Sequence, residues 1–339
     1  MKRLTLEEIG QIAGVSRSTV SRVINDHPNI RPAVRQRVED VIRQTGYQPN
    51  SAARSLASSQ SRIFGLVMPS ILQSAFADPY YPLVIQAISH ACNQSDYTAA
   101  LFLFQTLEEE EKMSQRIVAS GLIDGLIVTA DTIESAFVSK IQQYDIPFVQ
   151  IGRPLQSSAA EISYVDVDNE AGAYLAASHL IQLGYRRIGQ LATAHNTAGA
   201  DRDAGFRHAL SDRGLPIDDA LIEVSDFSEA GGYKAMRALL DRQPDAVFAQ
   251  SDAIALGAIR AIRDRGLSVP EDIAVVGFDD MPLATSADPP LTTVRQPIYR
   301  TGTLAVETLI DIVKTSPTPA RHIVLPVELV IRASSSAVN

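Results

Sequence analysis

Apolar positions change their rhythm along the chain. Over residues 4–47 they recur with helical spacing. Leu6, Ile9 and Ala13 fall at i, i+3, i+7 behind Thr5, a residue suited to cap a helix, and Gly14-Val15-Ser16 then breaks the pattern. From Arg17 to Asn25 the residues Val20, Val23 and Ile24 share one face, while Arg17, Ser18, Ser21, Arg22 and Asn25 share the other. Val34, Val38, Val41 and Ile42 make a third stripe, ended by Gly46. Two short helices joined by a glycine-containing turn, with a third packed across them, is a helix-turn-helix pattern. Such a unit can lay its second helix in the major groove of DNA; a plain three-helix domain with a solvated polar face has the same pattern.

Beyond residue 62 the rhythm becomes one of short continuous apolar runs. Strands are predicted at Ile63–Met68, Ala99–Phe104, Gly125–Thr129, Pro147–Ile151, Ile188–Ala192, Ala246–Gln250 and Ile273–Phe278. Amphipathic helical stretches such as Pro82–Asn93 and Asp252–Arg265 lie between them. Alternation of this kind predicts parallel sheets buried on both faces, and seven units imply two α/β lobes. Ligands in such folds bind at the carboxyl ends of strands, here across a cleft between lobes. Between the two regions, residues 51–61 carry five serines in eleven. Composition makes this a linker, yet Ala52, Ala53, Leu56 and Ala57 favour helix on one side. Two turns of helix cannot stand alone in water, so a hinge helix there needs a partner.

Composition adds one asymmetry. The chain of 339 residues has a net charge of -9. Residues 1–61 nevertheless hold nine Lys/Arg against five Asp/Glu, and the remainder holds 21 against 34. A basic head on an acidic body fits a protein whose head alone meets phosphate. The lone Cys92 excludes an intramolecular disulfide and a cysteine-based zinc finger, and no apolar run reaches 18 residues. The expectation is a cytoplasmic protein.

Catalytic chemistry leaves no trace in the pattern. Phosphate-loop, dinucleotide, nucleophile-elbow and zinc-protease motifs are missing, and the histidines at 27, 90, 179, 195, 208 and 322 show no metal-ligand spacing. Asp279-Asp280 sits at a strand end, where neighbours point to opposite faces. Glu108–Glu111 opens a helix, where acids suit the macrodipole. No enzyme, cofactor or metal site is expected.

The stretch LEEIGQIAGVSRSTVSRVIN followed by GYQPNSAARSLAS resembles the head and hinge of the LacI/GalR family of bacterial transcription regulators. Y-V-D-V-D-N-E-A-G, H-L-I-x-L-G-Y-R-R-I, D-R-x-A-G-F, V-G-F-D-D and D-P-P-L-T-T-V-R-Q-P follow in family order, so the resemblance spans nearly the whole chain. One departure is Arg31-Pro32 at the start of the third helix, where the family usually carries Ser or Thr.

The resemblance implies a helix-turn-helix head (1–48), a hinge helix (49–61) and a two-lobed periplasmic-binding-protein-like α/β body (62–339) for effector binding and dimerisation. Its lobes would run over about 62–162 plus 293–321 and about 163–292 plus 322–339, with crossings near Ser163, Thr293 and His322. Base edges would be read by Arg17, Ser18 and Arg22. Phosphates would be held by Thr5, Ser16, Thr19 and Asn25. Ser21, Tyr47, Asn50 and Ala53 complete the implied DNA contacts, and Leu56 would wedge into the minor groove unless it merely covers the linker–body junction.

An effector would meet Asp78, Tyr80, Tyr81, Arg202, Phe227, Ser251 and Asp279. An aromatic platform with an arginine and a carboxylate facing each other across a cleft suits a sugar or glycoside. A purine stacked on Tyr80, Tyr81 and Phe227 is the competing reading, and Arg202 and Asp279 could, under either, simply pair with each other to hold the lobes together. The function expected is a homodimeric repressor of a near-palindromic operator, without a membrane partner and located in the cytoplasm, on the nucleoid when operator-bound. A solute-binding protein would use the same body fold but is disfavoured by the missing signal pattern and the fused head, and a sugar-converting enzyme with a DNA-binding head lacks any catalytic constellation. Dimer against tetramer, and induction against co-repression, stay open at this point.

Overall fold

In a computed structural model the chain is described over residues 4–24, 27–47, 60–68, 78–104, 106–120, 122–129, 137–154, 160–194, 196–315 and 319–335. It divides into two compact units, Met1–Ser61 and Arg62–Asn339.

The first unit contains α1 (Leu6–Ala13), α2 (Arg17–Ile24) and α3 (Pro32–Thr45). Thr5 and Glu8 form a capping box at the start of α1: the Glu8 amide donates to Thr5 Oγ1 at 3.2 Å, and the Thr5 amide donates to Glu8 Oε2 at 2.7 Å. Gly14 ends α1 with φ 64°, a left-handed value that glycine adopts without penalty. The tight turn also needs Gly10, because a Cβ there would lie 2.8 Å from the Val15 carbonyl oxygen. Ile9, Val20 and Val38, one from each helix, are fully buried against one another. Arg31 precedes α3 without a side-chain cap and Pro32 takes the first turn, so the departure seen in the sequence costs α3 its hydroxyl cap.

The second unit holds two six-stranded sheets. In chain order its elements begin β1 (Ile63–Met68), α4 (Tyr80–Gln94), β2 (Thr98–Leu103), α5 (Leu107–Ser120), β3 (Gly125–Thr129), α6 (Phe137–Gln143), β4 (Phe148–Ile151) and β5 (Tyr164–Val167). They continue with α7 (Asn169–Gln182), β6 (Ile188–Thr193), α8 (Thr197–Asp212), β7 (Ile222–Ser225), α9 (Glu229–Leu240), β8 (Ala246–Ala249), α10 (Asp252–Asp264) and β9 (Ala274–Asp279). Last come α11 (Pro282–Ser286), β10 (Thr292–Arg295), α12 (Ile298–Thr315), β11 (His322–Leu325) and β12 (Glu328–Val330).

The first sheet is ordered β11-β5-β4-β3-β1-β2 and the second β12-β10-β9-β8-β6-β7. Pairing is parallel throughout except between β10 and β12. All seven strands expected from apolar runs are present within a residue or two. The acidic opening of α5 is structural as expected, with Glu108, Glu109 and Glu110 in its first turn and Glu111 bonded to Lys140.

The lobe crossings differ from the expected positions. Residues Gln150 and Tyr164 are in register between β4 and β5, so the chain stays in the first lobe through Val167 rather than leaving near Ser163. It returns after β10 ends at Arg295, not at Thr293. β11 pairs with β5, so the last crossing follows Leu325 rather than His322. The cause is common to all three: each strand completes its ladder before the chain crosses, which moves the crossing to the strand's carboxyl end. Among the described residues, lobe 1 therefore comprises those within 62–167 and 298–325, and lobe 2 those within 169–295 and 328–335.

Candidate functional site

The carboxyl ends of β3, β4 and β5 in lobe 1 and of β6, β9 and β10 in lobe 2 border one cleft, which encloses about 690 Å³ counting its open mouth. Asp78, Tyr80, Tyr81, Arg202, Phe227 and Asp279 all line it, as the sequence led one to expect. Ser251 does not. It is fully buried as the N-cap of α10, accepting from the Ile254 amide at 3.2 Å.

Arg202 stands on α8 and Asp279 ends β9, so both belong to lobe 2 and lie side by side, with Nη2 3.8 Å from Oδ1. The expectation that they face each other across the cleft is corrected. Arg202 Nε donates to Asn169 Oδ1 at 2.9 Å, Nη1 donates to the Gln250 carbonyl, and the guanidinium carbon lies 3.7 Å from the Phe278 ring centroid. Burial lowers its pKa, and the Asp279 charge opposes that shift. Asp279 accepts from Gln296 Nε2 at 2.5 Å and is held at φ 122°, a conformation that side chains rarely adopt and that marks local strain. Burial pushes its carboxyl up, Arg202 pulls it down, and the charge of Asp252 behind it pushes it up again. Asp252 itself accepts from Thr293 Oγ1 and, at 2.8 Å, from the Met281 amide.

Lobe 1 supplies the facing wall. Tyr80 and Tyr81 open α4 with their rings edge to face, centroids 5.6 Å apart. Burial, followed by the Asp279 charge, raises the Tyr80 phenol far above its usual value. Asp166 on β5 accepts from the Arg153 amide at 3.0 Å, the Val167 amide at 2.8 Å and Asn169 Nδ2 at 3.2 Å. Burial raises its pKa as well. Thr129 Oγ1 is buried beside them with no protein partner.

Asp166, Asn169, Asn196, Gln296, Thr129 and Thr301 line the cleft but were not singled out from the sequence. Asp166 and Asn169 stand inside V-D-V-D-N, and Gln296 inside V-R-Q-P. Those motifs held the signal, but not which of their residues turn inward.

In the separate head, Arg17, Ser18 and Arg22 are exposed on α2, as base-reading residues must be. Arg17 is 3.8 Å from Glu7 in an exposed ion pair. Ser16 Oγ, also exposed, sits 2.8 Å from Ser18 Oγ and 2.9 Å from Thr19 Oγ1, while Thr19 and Ser21 are half-buried. The Thr5 hydroxyl is engaged with Glu8. The Tyr47 ring belongs to the head core, 9% exposed. Asn25, Asn50, Ala53 and Leu56 lie outside the described residues. Among the described residues no cluster of His, Cys, Asp or Glu is arranged to hold a metal, and no helix is long and apolar enough to cross a membrane.

Residues 5–50 match the family of bacterial regulatory proteins, lacI family, and residues 177–335 match the periplasmic binding protein-like domain. The transcriptional regulator CelR of Thermobifida fusca is 37% identical over 336 residues, covering 98% of both chains. The chain belongs to the LacI family. Like its relatives in that family, it is a DNA-binding transcription regulator and not an enzyme. A solved CelR–cellobiose complex shares 35% identity with this LacI-family chain at a TM-score of 0.78, covering 98% of it and 100% of the other. The lac repressor dimer bound to operator and the anti-inducer ONPF shares 26% identity at a TM-score of 0.86, covering 99% and 100%.

Proposed function

We propose that this regulator is a homodimeric repressor of a near-palindromic operator, released or recruited by a neutral sugar or glycoside bound between the lobes of its body. The observation that carries the effector reading is the composition of the cleft. Tyr80, Tyr81 and Phe227 offer apolar ring surface, while Asp78, Asp166, Asp279, Asn169, Asn196 and Gln296 offer hydrogen-bonding groups on both walls. Pyranose rings present that combination in reverse, with C–H faces and a rim of hydroxyls. CelR binding cellobiose supports the sugar class. A purine would need the guanidinium for a ring carbonyl, and Arg202 already has Nε and Nη1 engaged with Asn169 and Gln250, which favours the sugar.

Arg17, Ser18 and Arg22 would read base edges, with Ser16, Thr19, Ser21, Thr5, Asn25, Tyr47, Asn50 and Ala53 as supporting contacts and Leu56 as a minor-groove wedge. Two heads on a two-fold dimer match a two-fold operator, and the operator-bound lac repressor dimer supports that assembly. Such a regulator works in the bacterial cytoplasm, on the nucleoid when bound. Calorimetry with mono- and disaccharides against purines and nucleosides tests the effector. Micromolar binding of a purine with silence from every sugar would reverse the assignment.

A further inference from the structure

The cleft's charge balance sharpens the ligand class beyond its sugar character. Its lining carries three carboxylates, Asp78, Asp166 and Asp279, each no more than 8% exposed, against one cation, Arg202. That cation is neutralised in place: Asp279 lies 3.8 Å away, and Nε and Nη1 donate to protein oxygens. Arg153, the next guanidinium along the lobe-1 wall, is bonded to Asp201 at 2.5 Å. An arriving anion would therefore meet buried negative charge on both walls without a free positive partner among the described residues. Buried carboxylates at this spacing repel a phosphate or carboxylate strongly, because the surrounding protein screens them poorly. Protonating them does not rescue an anion, since a neutral carboxyl supplies a donor but no positive charge. Burial is the largest cause of the raised Asp166 pKa and outweighs the neighbouring amides and the Arg202 charge that oppose it.

We propose that the cleft selects an uncharged polyhydroxylated ligand and rejects its phosphorylated or carboxylated forms, with Asp166 as the specificity-determining residue on the lobe-1 wall. This rests on the sugar reading and deepens it. Asp166 is singled out because Asp279 has Arg202 within ion-pair distance in its own lobe, whereas the hydrogen bonds to Asp166 come from neutral amides of Arg153, Val167 and Asn169, and the Arg153 and Arg202 guanidiniums act on it as charges without bonding to it.

The test is calorimetry on the full-length protein with glucose, α- and β-linked glucose disaccharides and a galactoside, each paired with its 6-phosphate and its uronate. Glucosamine and adenine serve as cationic and purine probes. The expected result is that a neutral sugar binds and its anionic partners bind at least about a hundredfold more weakly, the scale set by one uncompensated charge at close range. In Asp166→Asn the neutral sugar should weaken while the 6-phosphate strengthens. A purely structural role for Asp166 would weaken both together.

A 6-phosphate or uronate binding as tightly as its parent overturns the inference and leaves the sugar reading standing. Glucosamine binding tighter than every neutral sugar also overturns it. Adenine binding with all sugars silent overturns the sugar reading, and silence from every probe overturns both. Should Asp166→Asn fail to fold, the neutral-to-anionic ratio of the unaltered protein decides the matter alone.

Discussion

Arg153 of lobe 1 donates to Asp201 of lobe 2 at 2.5 Å, closing an ion pair between the strand end of β4 and the first turns of α8. Thr197 Oγ1 reinforces it by donating to the Arg153 carbonyl at 2.7 Å. The hydrogen bond to Asp201 is the main cause of the raised Arg153 pKa. These bonds tie the lobes together beside the first chain crossing, where the Arg153 amide also donates to Asp166 Oδ2 at 3.0 Å. They perform the clasping that the sequence had offered to Arg202 and Asp279 as an alternative.

Asp201→Asn should loosen this clasp without unfolding the body. Both side chains are partly exposed, so the loss in stability should be about 1 kcal/mol or less, a fall of no more than about 2–4 °C in Tm. Hydrogen exchange at Gly152, Arg153 and the first turn of α8 should rise. Unchanged exchange there would show that the ion pair does not restrain the lobes.

Gly10→Ala should separate the two activities of the chain. The new methyl would lie 2.8 Å from the Val15 carbonyl oxygen, a backbone atom that cannot swing aside. Overpacking of this kind costs about 1–3 kcal/mol, a large share of the stability of so small a unit. DNA binding should fall while calorimetric binding of the effector to the body is kept. Loss of both would mean that the two units do not fold independently.

Arg22→Ala should relax sequence preference, since one lost bidentate contact to guanine is worth about 1–3 kcal/mol of discrimination. Binding-site selection that returns the same consensus for the variant would remove Arg22 from the reading set. Leu56→Ala, by contrast, should weaken operator binding far more than non-specific binding, because only a kinked duplex receives a wedge. Equal losses would assign Leu56 to packing.

The body should become more stable as pH falls from 8.5 to 6.5. Burial pushes the Asp252 and Asp279 carboxyls up to about 7, so the folded chain holds protons that the unfolded chain has released. Their contribution is complete below the unfolded carboxyl value near 4 and is lost as pH rises through about 7. Buried His179, whose pKa is lowered, acts in the opposite sense and erodes stability once pH drops below about 6.5. Thermal melts should show the rise, and Asp252→Asn should flatten it. A slope that survives the substitution would assign the effect to other groups.

The sequence revealed the strands that lie within apolar runs and missed the short β5, β7, β10, β11 and β12, whose three or four residues mix polar and apolar positions. β5 and β10 read as Y-V-D-V and T-T-V-R, short and mixed, and become strands only because β4 and β9 lie ready to pair with them. Within V-D-V-D-N the two aspartates diverge: Asp168 caps α7 by accepting from the Ala171 amide at 3.0 Å, while Asp166 lines the cleft. Nothing local distinguishes them, because the distinction depends on where the chain crosses between lobes. Ser251 shows the converse, a polar residue beside the site whose hydroxyl is taken up by its own helix. In the head, where contacts are between neighbouring helices, the apolar stripes sufficed to place Ile9, Val20 and Val38 together.

Both sheets take an edge strand from a single late stretch, β11 and β12, with two residues between them. Synthesis on the ribosome therefore delivers the two halves of the regulator at different times. The head is in hand once residue 61 has emerged, but neither sheet can be completed until roughly 260 residues later, which at about 5–20 residues per second is roughly 15–50 s. Throughout that interval a nascent chain carries the three-helix head while both sheets of the body still lack an edge strand.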